Sequence, residues 1–180
     1  MKIFYILILM FSFFSKSLAN YDRLAYDYKF ESLNGPSINL SEYKDKIIVI
    51  VNVASRCGFT NQYNDLQKLW VNYEKKGLVV IGVPSNNFKQ EPGTNEEIKQ
   101  FCESNFNITF PISEKINVIG ENAHPFFKWA RENYGASAIP KWNFHKIIVK
   151  KDGKIGETFG SLTKPYSKKF LNYIEKEIKN

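Results

Sequence analysis

Cys57 is the residue of this 180-residue chain with the strongest local signs of chemistry. The β-branched run that ends at Val53 predicts a strand buried on both faces, typical of a central parallel strand. Apolar residues recur at helical spacing from Tyr63 to Tyr73, and Gly77 predicts the end of that helix. Cys57 is therefore expected between a strand end and a helix start, where backbone N–H groups and the helix dipole favour a thiolate.

Three short segments resemble one known family. Residues 52–60 read Asn-Val-Ala-Ser-Arg-Cys-Gly-Phe-Thr, similar to the active-site segment of the glutathione peroxidase family in its cysteine form. Gln-Glu-Pro-Gly at 90–93 and Trp-Asn-Phe at 142–144 follow in the family's order. The resemblance covers nearly the whole chain after its amino-terminal segment, and it implies the thioredoxin fold with an additional N-terminal β-hairpin.

The resemblance implies a thiol peroxidase that reduces hydrogen peroxide or organic and lipid hydroperoxides, with a role in the response to oxidative stress. Cys57 would attack the peroxide and become a sulfenic acid. Gln90, Trp142 and Asn143 would donate hydrogen bonds to the leaving oxygen. Taken singly, these three residues indicate core packing and turns. No bound cofactor is implied, because a thioredoxin-like protein or glutathione would supply the electrons.

Cys102 is the second cysteine, and two roles for it stay open. In the thioredoxin-dependent branch of the family, a cysteine in this helix resolves the sulfenic acid as a disulfide. Cys102 also shares an apolar stripe with Ile98 and Phe101, which indicates a buried structural residue.

Two other functions compete with a peroxidase. The first is a thiol–disulfide oxidoreductase on the same fold, but Thr60 stands where a Cys-x-x-Cys pair would have its second cysteine. The second is a non-enzymatic exported domain in which Cys57 and Cys102 form a static bridge. His124 and His145 are expected to be structural, and two histidines with two scattered cysteines make a poor metal set.

The remaining pattern predicts the elements that position these residues. A hairpin is expected over 28–40 around Asn34-Gly35, buried strands over 47–53 and 78–84, and a second hairpin over 144–159. Helices are expected over 63–76, from Thr94 with a capping box, from Pro125, and from about Lys164. The order predicts one α/β domain, 20–180, with a mixed central sheet flanked by helices.

The amino-terminal segment has the pattern of a signal peptide. Lys2 precedes an apolar run of 12 residues from Ile3 to Phe14, and small residues lead to Ala19. We expect cleavage of 1–19, export without stable membrane insertion, and a periplasmic location in a bacterium or otherwise the secretory pathway.

The chain carries a formal net charge of +7, but no basic stretch is interleaved with aromatics. We therefore expect a hydroperoxide and a thiol reductant as partners, and no nucleic acid. The short stretch between Tyr134 and Trp142 lacks the insertion of the family's tetrameric members, so a monomer is expected.

Overall fold

The structure, a computed structural model, describes residues 21–180. The predicted signal peptide, 1–19, lies outside the described residues. None of the helices within 21–180 is both long and apolar enough to cross a bilayer.

A four-stranded mixed sheet forms the centre of the described chain. Strand β3 (Ile47–Val53) pairs in parallel with β4 (Leu78–Pro84) on one side. On its other side it pairs antiparallel with β5 (Lys146–Val149), and β5 pairs with β6 (Ile155–Phe159). The order β4-β3-β5-β6 puts β3 inside the sheet, as its unbroken apolar sequence predicts.

Helices cover both faces of this sheet. Helix α1 (Gln62–Tyr73), helix α2 (Asn95–Phe106) and helix α4 (Lys168–Lys179) pack on one face, around the alternate β3 residues that include Val49. Helix α3 (Pro125–Tyr134) packs on the other face, together with the amino-terminal strands. Because consecutive strand side chains point to opposite faces, β3 contributes to both cores. The fold is the predicted thioredoxin fold.

The amino-terminal hairpin is shorter than predicted. Strands β1 (Lys29–Phe30) and β2 (Ile38–Asn39) pair antiparallel as a separate two-stranded sheet. Gly35 has φ +110°, which matches the predicted Asn-Gly turn.

Three element boundaries differ from the sequence prediction. Helix α1 ends at Tyr73, and a 3-10 turn (Glu74–Lys76) leads to Gly77, where φ is +91°. Strand β5 begins at Lys146 rather than at residue 144, because Phe144 adopts a positive φ of 62°. Helix α4 begins at Lys168 rather than near Lys164, because Pro165 and a turn closed by Ser167 precede it.

Candidate active site

Cys57 lies in the turn between β3 and α1, as predicted. Its side chain is largely buried, with 9% of the residue exposed, and Sγ accepts a hydrogen bond from the backbone N–H of Phe59 at 3.4 Å. The Thr60 hydroxyl accepts from the Cys57 N–H at 3.1 Å and donates to the carbonyl of Ala54 at 2.9 Å. Thr60 therefore holds the turn in the place that a second cysteine would take in a Cys-x-x-Cys pair.

The loop before α2 is tied to the two residues that precede Cys57. The Arg56 N–H donates to the carbonyl of Gln90 at 3.0 Å. The buried carboxylate of Glu91 accepts from both the N–H and the hydroxyl of Ser55, at 2.7 and 2.9 Å. Desolvation raises the pKa of Glu91, and the two Ser55 bonds act against this rise. These contacts place Gln90 beside the cysteine turn.

Gln90 and Asn143 meet although they come from distant segments. The Asn143 Nδ2 donates to Gln90 Oε1 at 2.9 Å, and Asn143 is fully buried. Its Oδ1 is buried without a hydrogen-bond partner among residues 21–180. The bond to Gln90 thus orients both amides, and it directs the Gln90 NH₂ group away from Asn143.

Asn52 holds the segment that carries Trp142 and Asn143. Its Nδ2 donates to the carbonyl of Trp142 at 3.2 Å, and its Oδ1 accepts from the N–H of His145 at 3.1 Å. Its backbone adds two more bonds, to the His145 carbonyl and from the Phe144 N–H. Asn52 is the one polar residue in the buried strand β3, and its two side-chain hydrogen bonds explain its presence there.

Trp142 is the exposed member of this segment. The residue is 42% exposed, and its ring packs against Phe88 with the ring centroids 5.4 Å apart. Its indole N–H makes no hydrogen bond to another residue in the described part of the chain. The structure thus brings Gln90 and Asn143 into direct contact and attaches Trp142 beside them through the backbone.

Cys102 lies on α2 and is 1% exposed. Burial raises its pKa to about 11, and the hydroxyl of the fully buried Tyr63 lies beside its thiol. Cys57 and Cys102 belong to the same apolar cluster, but both are free thiols. The static bridge considered from the sequence is therefore absent.

Neither histidine hydrogen-bonds to a residue of the cysteine turn, 54–60. His124 begins α3, where its Nδ1 accepts from the N–H of Phe126 at 3.3 Å. His145 is buried, and desolvation lowers its pKa to about 4. No group of three or more potential metal ligands occurs within the described range 21–180.

The sequence predicted no role for Asn52 and Glu91, which hydrogen-bond to residues of the site, or for Lys146. Asn52 and Glu91 lie inside the matched segments, but only the neighbouring side chains were given functions. Lys146 follows the third segment and is fully buried. For Asn52, the available signal was a polar residue inside a predicted buried strand, which requires an internal partner.

The fold and this site define a thioredoxin-fold thiol enzyme, and comparisons with known proteins identify its family. The family model described as glutathione peroxidase matches residues 25–131. The "Glutathione peroxidase-like peroxiredoxin 2" of Saccharomyces cerevisiae is 44% identical over 79% of this chain and 90% of its own. The "Hydroperoxy fatty acid reductase gpx1" of Synechocystis is 42% identical over 78% of this chain and 88% of its own. The crystal structure of Trgpx in apo form covers 88% of this chain and 97% of its own, with 34% identity and a TM-score of 0.69.

The chain therefore belongs to the glutathione peroxidase family. It is a thiol peroxidase that reduces hydroperoxides and takes its electrons from a thiol reductant rather than from a prosthetic group.

Proposed function

We propose that Cys57 is the thiol that attacks the hydroperoxide. The observation that carries this proposal is the position of Sγ in the turn between β3 and α1, where it accepts the Phe59 N–H, because the carboxyl end of a sheet strand is where α/β folds bind substrates. The sulfur attacks one peroxide oxygen and the O–O bond breaks. Cys57 becomes a sulfenic acid, and the departing oxygen takes a proton to leave as water or an alcohol.

Gln90, Asn143 and Trp142 are proposed to stabilise the departing oxygen. The Asn143 bond to Gln90 Oε1 directs the Gln90 NH₂ group outward, and the indole N–H of Trp142 is unoccupied among residues 21–180. Neutral donors that are already oriented stabilise developing negative charge without reorganising during the reaction. The test is a stopped-flow measurement of the peroxide rate constant. Cys57→Ser should abolish rapid peroxide consumption, whereas Cys102→Ser should leave the first step unchanged; the reverse pattern would contradict the assignment.

The surface around the site supports bulky, anionic hydroperoxides as substrates. Trp142, a residue of the site, is 42% exposed, and Leu162 is 86% exposed and follows Ser161, whose hydroxyl donates to the Asn143 carbonyl at 2.6 Å. The exposed cations Arg56, Lys89 and Lys141 lie next to Cys57, Gln90 and Trp142 in the chain. This surface suits an apolar chain that bears a carboxylate, and a relative named as a hydroperoxy fatty acid reductase supports the same class.

The substrate proposal is tested by comparing a fatty acid hydroperoxide with hydrogen peroxide. Leu162→Ser should raise the KM for the fatty acid hydroperoxide and leave the rate with hydrogen peroxide unchanged. Val71→Ser is the matched control, because Val71 is exposed on α1. Equal effects of both variants would reject a substrate contact at Leu162.

Cys102 is proposed to resolve the sulfenic acid for reduction by a thioredoxin-like protein. The sulfenic acid of Cys57 and the thiol of Cys102 would form a disulfide and release water. Because Cys102 is buried, α2 must open first. Only Ile98 and Cys102 of this helix are fully buried, so its opening costs less than global unfolding.

One peroxide equivalent added without reductant tests this step. Mass spectrometry should find an intramolecular disulfide in the wild type and a trappable sulfenic acid in Cys102→Ser. Turnover with thioredoxin should be lost in that variant. If the wild type also keeps its sulfenic acid, an external thiol such as glutathione reduces Cys57 directly, and Cys102 is only a core residue.

Export and a monomeric state complete the proposal. The basic start, the apolar run and Ala19 support cleavage after residue 19, which amino-terminal sequencing of the exported protein tests. The 3-10 turn Gly135–Ala138 makes up most of the connection between Tyr134 and Trp142, and this shortness supports a monomer. Light scattering of the purified protein tests its mass.

A further inference from the structure

Lys146 is a buried cation that the peroxidase mechanism does not use. It lies on β5, is 0% exposed, and forms no ion pair with a carboxylate of residues 21–180. Its Nζ donates to Gln62 Oε1 at 2.6 Å and to the carbonyl of Thr163 at 2.8 Å. Desolvation lowers its pKa to about 7. A buried amine costs free energy that an apolar side chain of equal length would not cost.

The acceptors of Lys146 continue as a chain of hydrogen bonds to the active site. Gln62 is the first residue of α1, and its Nε2 donates to the carbonyl of Ser161 at 2.6 Å. The Ser161 hydroxyl donates to the carbonyl of Asn143 at 2.6 Å. Asn143 in turn orients Gln90. Lys146 thus connects the start of α1 and the loop after β6 to the proposed donors.

Packing alone does not explain an amine at this position. The neighbours of Lys146 across the sheet are Val51 and Phe159, and both are buried and apolar. A methionine would satisfy that environment. It would also leave the Gln62 oxygen and the Thr163 carbonyl without their donor, and only the Gln62 Nε2 bond to the Ser161 carbonyl would then join this loop to the first turn of α1.

We propose that Lys146 is a positioning residue, which holds Asn143 and Gln90 in their reactive geometry through Gln62 and Ser161. This inference rests on the proposed attack by Cys57. Reaction of Cys57 with a peroxide needs the positioned donors, whereas reaction with some other thiol reagents does not. The proposal therefore predicts that loss of Lys146 slows the peroxide reaction more than it slows reaction with such a reagent.

The experiment compares two rate constants of Cys57 in each variant, with hydrogen peroxide and with iodoacetamide. Both reagents report thiolate availability, but iodide leaves without needing a hydrogen-bond donor. Lys146→Met should lower the ratio of the peroxide to the iodoacetamide constant about tenfold or more. Ser161→Ala should lower the same ratio, because it removes only the bond to Asn143. Lys150→Met is the matched control, since Lys150 lies beyond the end of β5 and pairs with Asp152 at the surface.

A double-mutant comparison tests whether the two residues act together. In Lys146→Met/Ser161→Ala, the fall in the ratio should be smaller than the product of the single effects. If Lys146→Met does not fold, Gln62→Met replaces it, because it breaks the same connection at its other end.

The proposal is overturned if the ratio of the peroxide to the iodoacetamide rate constant is unchanged in Ser161→Ala and in whichever of Lys146→Met and Gln62→Met folds, even if these variants lose stability. That result differs from failure of the proposed function, which would appear as rapid peroxide consumption by Cys57→Ser.

Discussion

The side-chain amide of Asn143 donates a hydrogen bond to the side-chain oxygen of Gln90, and the two atoms lie 2.9 Å apart. The two residues are 53 positions apart in sequence, and each belongs to a loop beside the end of β3. The bond has a direction, because Asn143 is the hydrogen-bond donor and Gln90 is the acceptor. Loss of the Asn143 donor should therefore slow the peroxide reaction, although the substitution changes only a few atoms.

Asn143→Asp tests that direction. A carboxylate cannot donate to Gln90 Oε1, and it adds a negative charge where the reaction also develops one. We expect the rate constant of Cys57 with hydrogen peroxide to fall about 100-fold. Asn172→Asp is the control, since Asn172 is exposed on α4. Equal rates for wild type and Asn143→Asp would exclude a role for this donor.

Trp142→Phe separates the indole N–H from the apolar surface of the ring. Phenylalanine can keep the contact with Phe88, and the position is 42% exposed, so the free energy of unfolding should change by less than about 0.5 kcal/mol. The peroxide rate should fall about tenfold or more, because one donor is lost. Trp70→Phe serves as the control, because Trp70 lies on α1 and outside the three matched segments in sequence. If Trp142→Phe changes the peroxide rate no more than Trp70→Phe does, Trp142 contributes only surface packing.

The two thiols should differ strongly in alkylation. Cys102 is 1% exposed and its pKa is raised to about 11, so at pH 7.5 it is protonated and shielded. Iodoacetamide should add one group to the folded, reduced protein, at Cys57, and two groups in urea. Peptide mapping by mass spectrometry identifies the sites. Labelling of Cys102 at a comparable rate under native conditions would show that α2 opens readily in the reduced state.

His145 should make the protein less stable in mild acid. Its pKa is lowered to about 4, whereas an unfolded histidine titrates near 6.5, so between these values the unfolded state binds more protons. Stability from this group is therefore complete above about pH 6.5 and is lost as the pH falls towards 4. At pH 5 the loss is about 2 kcal/mol relative to pH 7.

Urea unfolding of the wild type and His145→Gln at pH 7 and pH 5 measures this contribution. Other groups titrate over the same range, so the difference between the two proteins isolates His145. Glutamine has a similar volume and does not titrate, and the variant should lose about 2 kcal/mol less on acidification. The same loss in both proteins would mean that His145 is solvated or paired in the folded state.

The sequence predicts the central parts of the fold better than its edges. Strands β3 and β4 follow from unbroken apolar runs, and the capping box at Thr94 forms as expected. The start of β5 was wrong because the left-handed conformation of Phe144 depends on contacts with Asn52 across the sheet. No pattern within residues 142–149 contains that information.

Prediction of the site had a similar limit. Family resemblance selected Gln90 and Asn143, and the structure shows that they are in contact. The network beneath them could not be predicted, because Gln62, Ser161 and Lys146 meet only after the sheet has formed. Their spacing in sequence follows no short motif, and each would ordinarily be assigned to the protein surface.

The antiparallel pairing of β5 with β3 has a consequence for the order in which the protein is made. Asn52 and Cys57 leave the ribosome long before residues 142–146. This later segment supplies the three hydrogen-bond partners of Asn52, which are Trp142, Phe144 and His145. A nascent chain that stops before residue 142 carries the cysteine without Trp142, Asn143 or Lys146. The sulfur therefore acquires its full surroundings only when the last third of the chain has been synthesised and has joined the sheet.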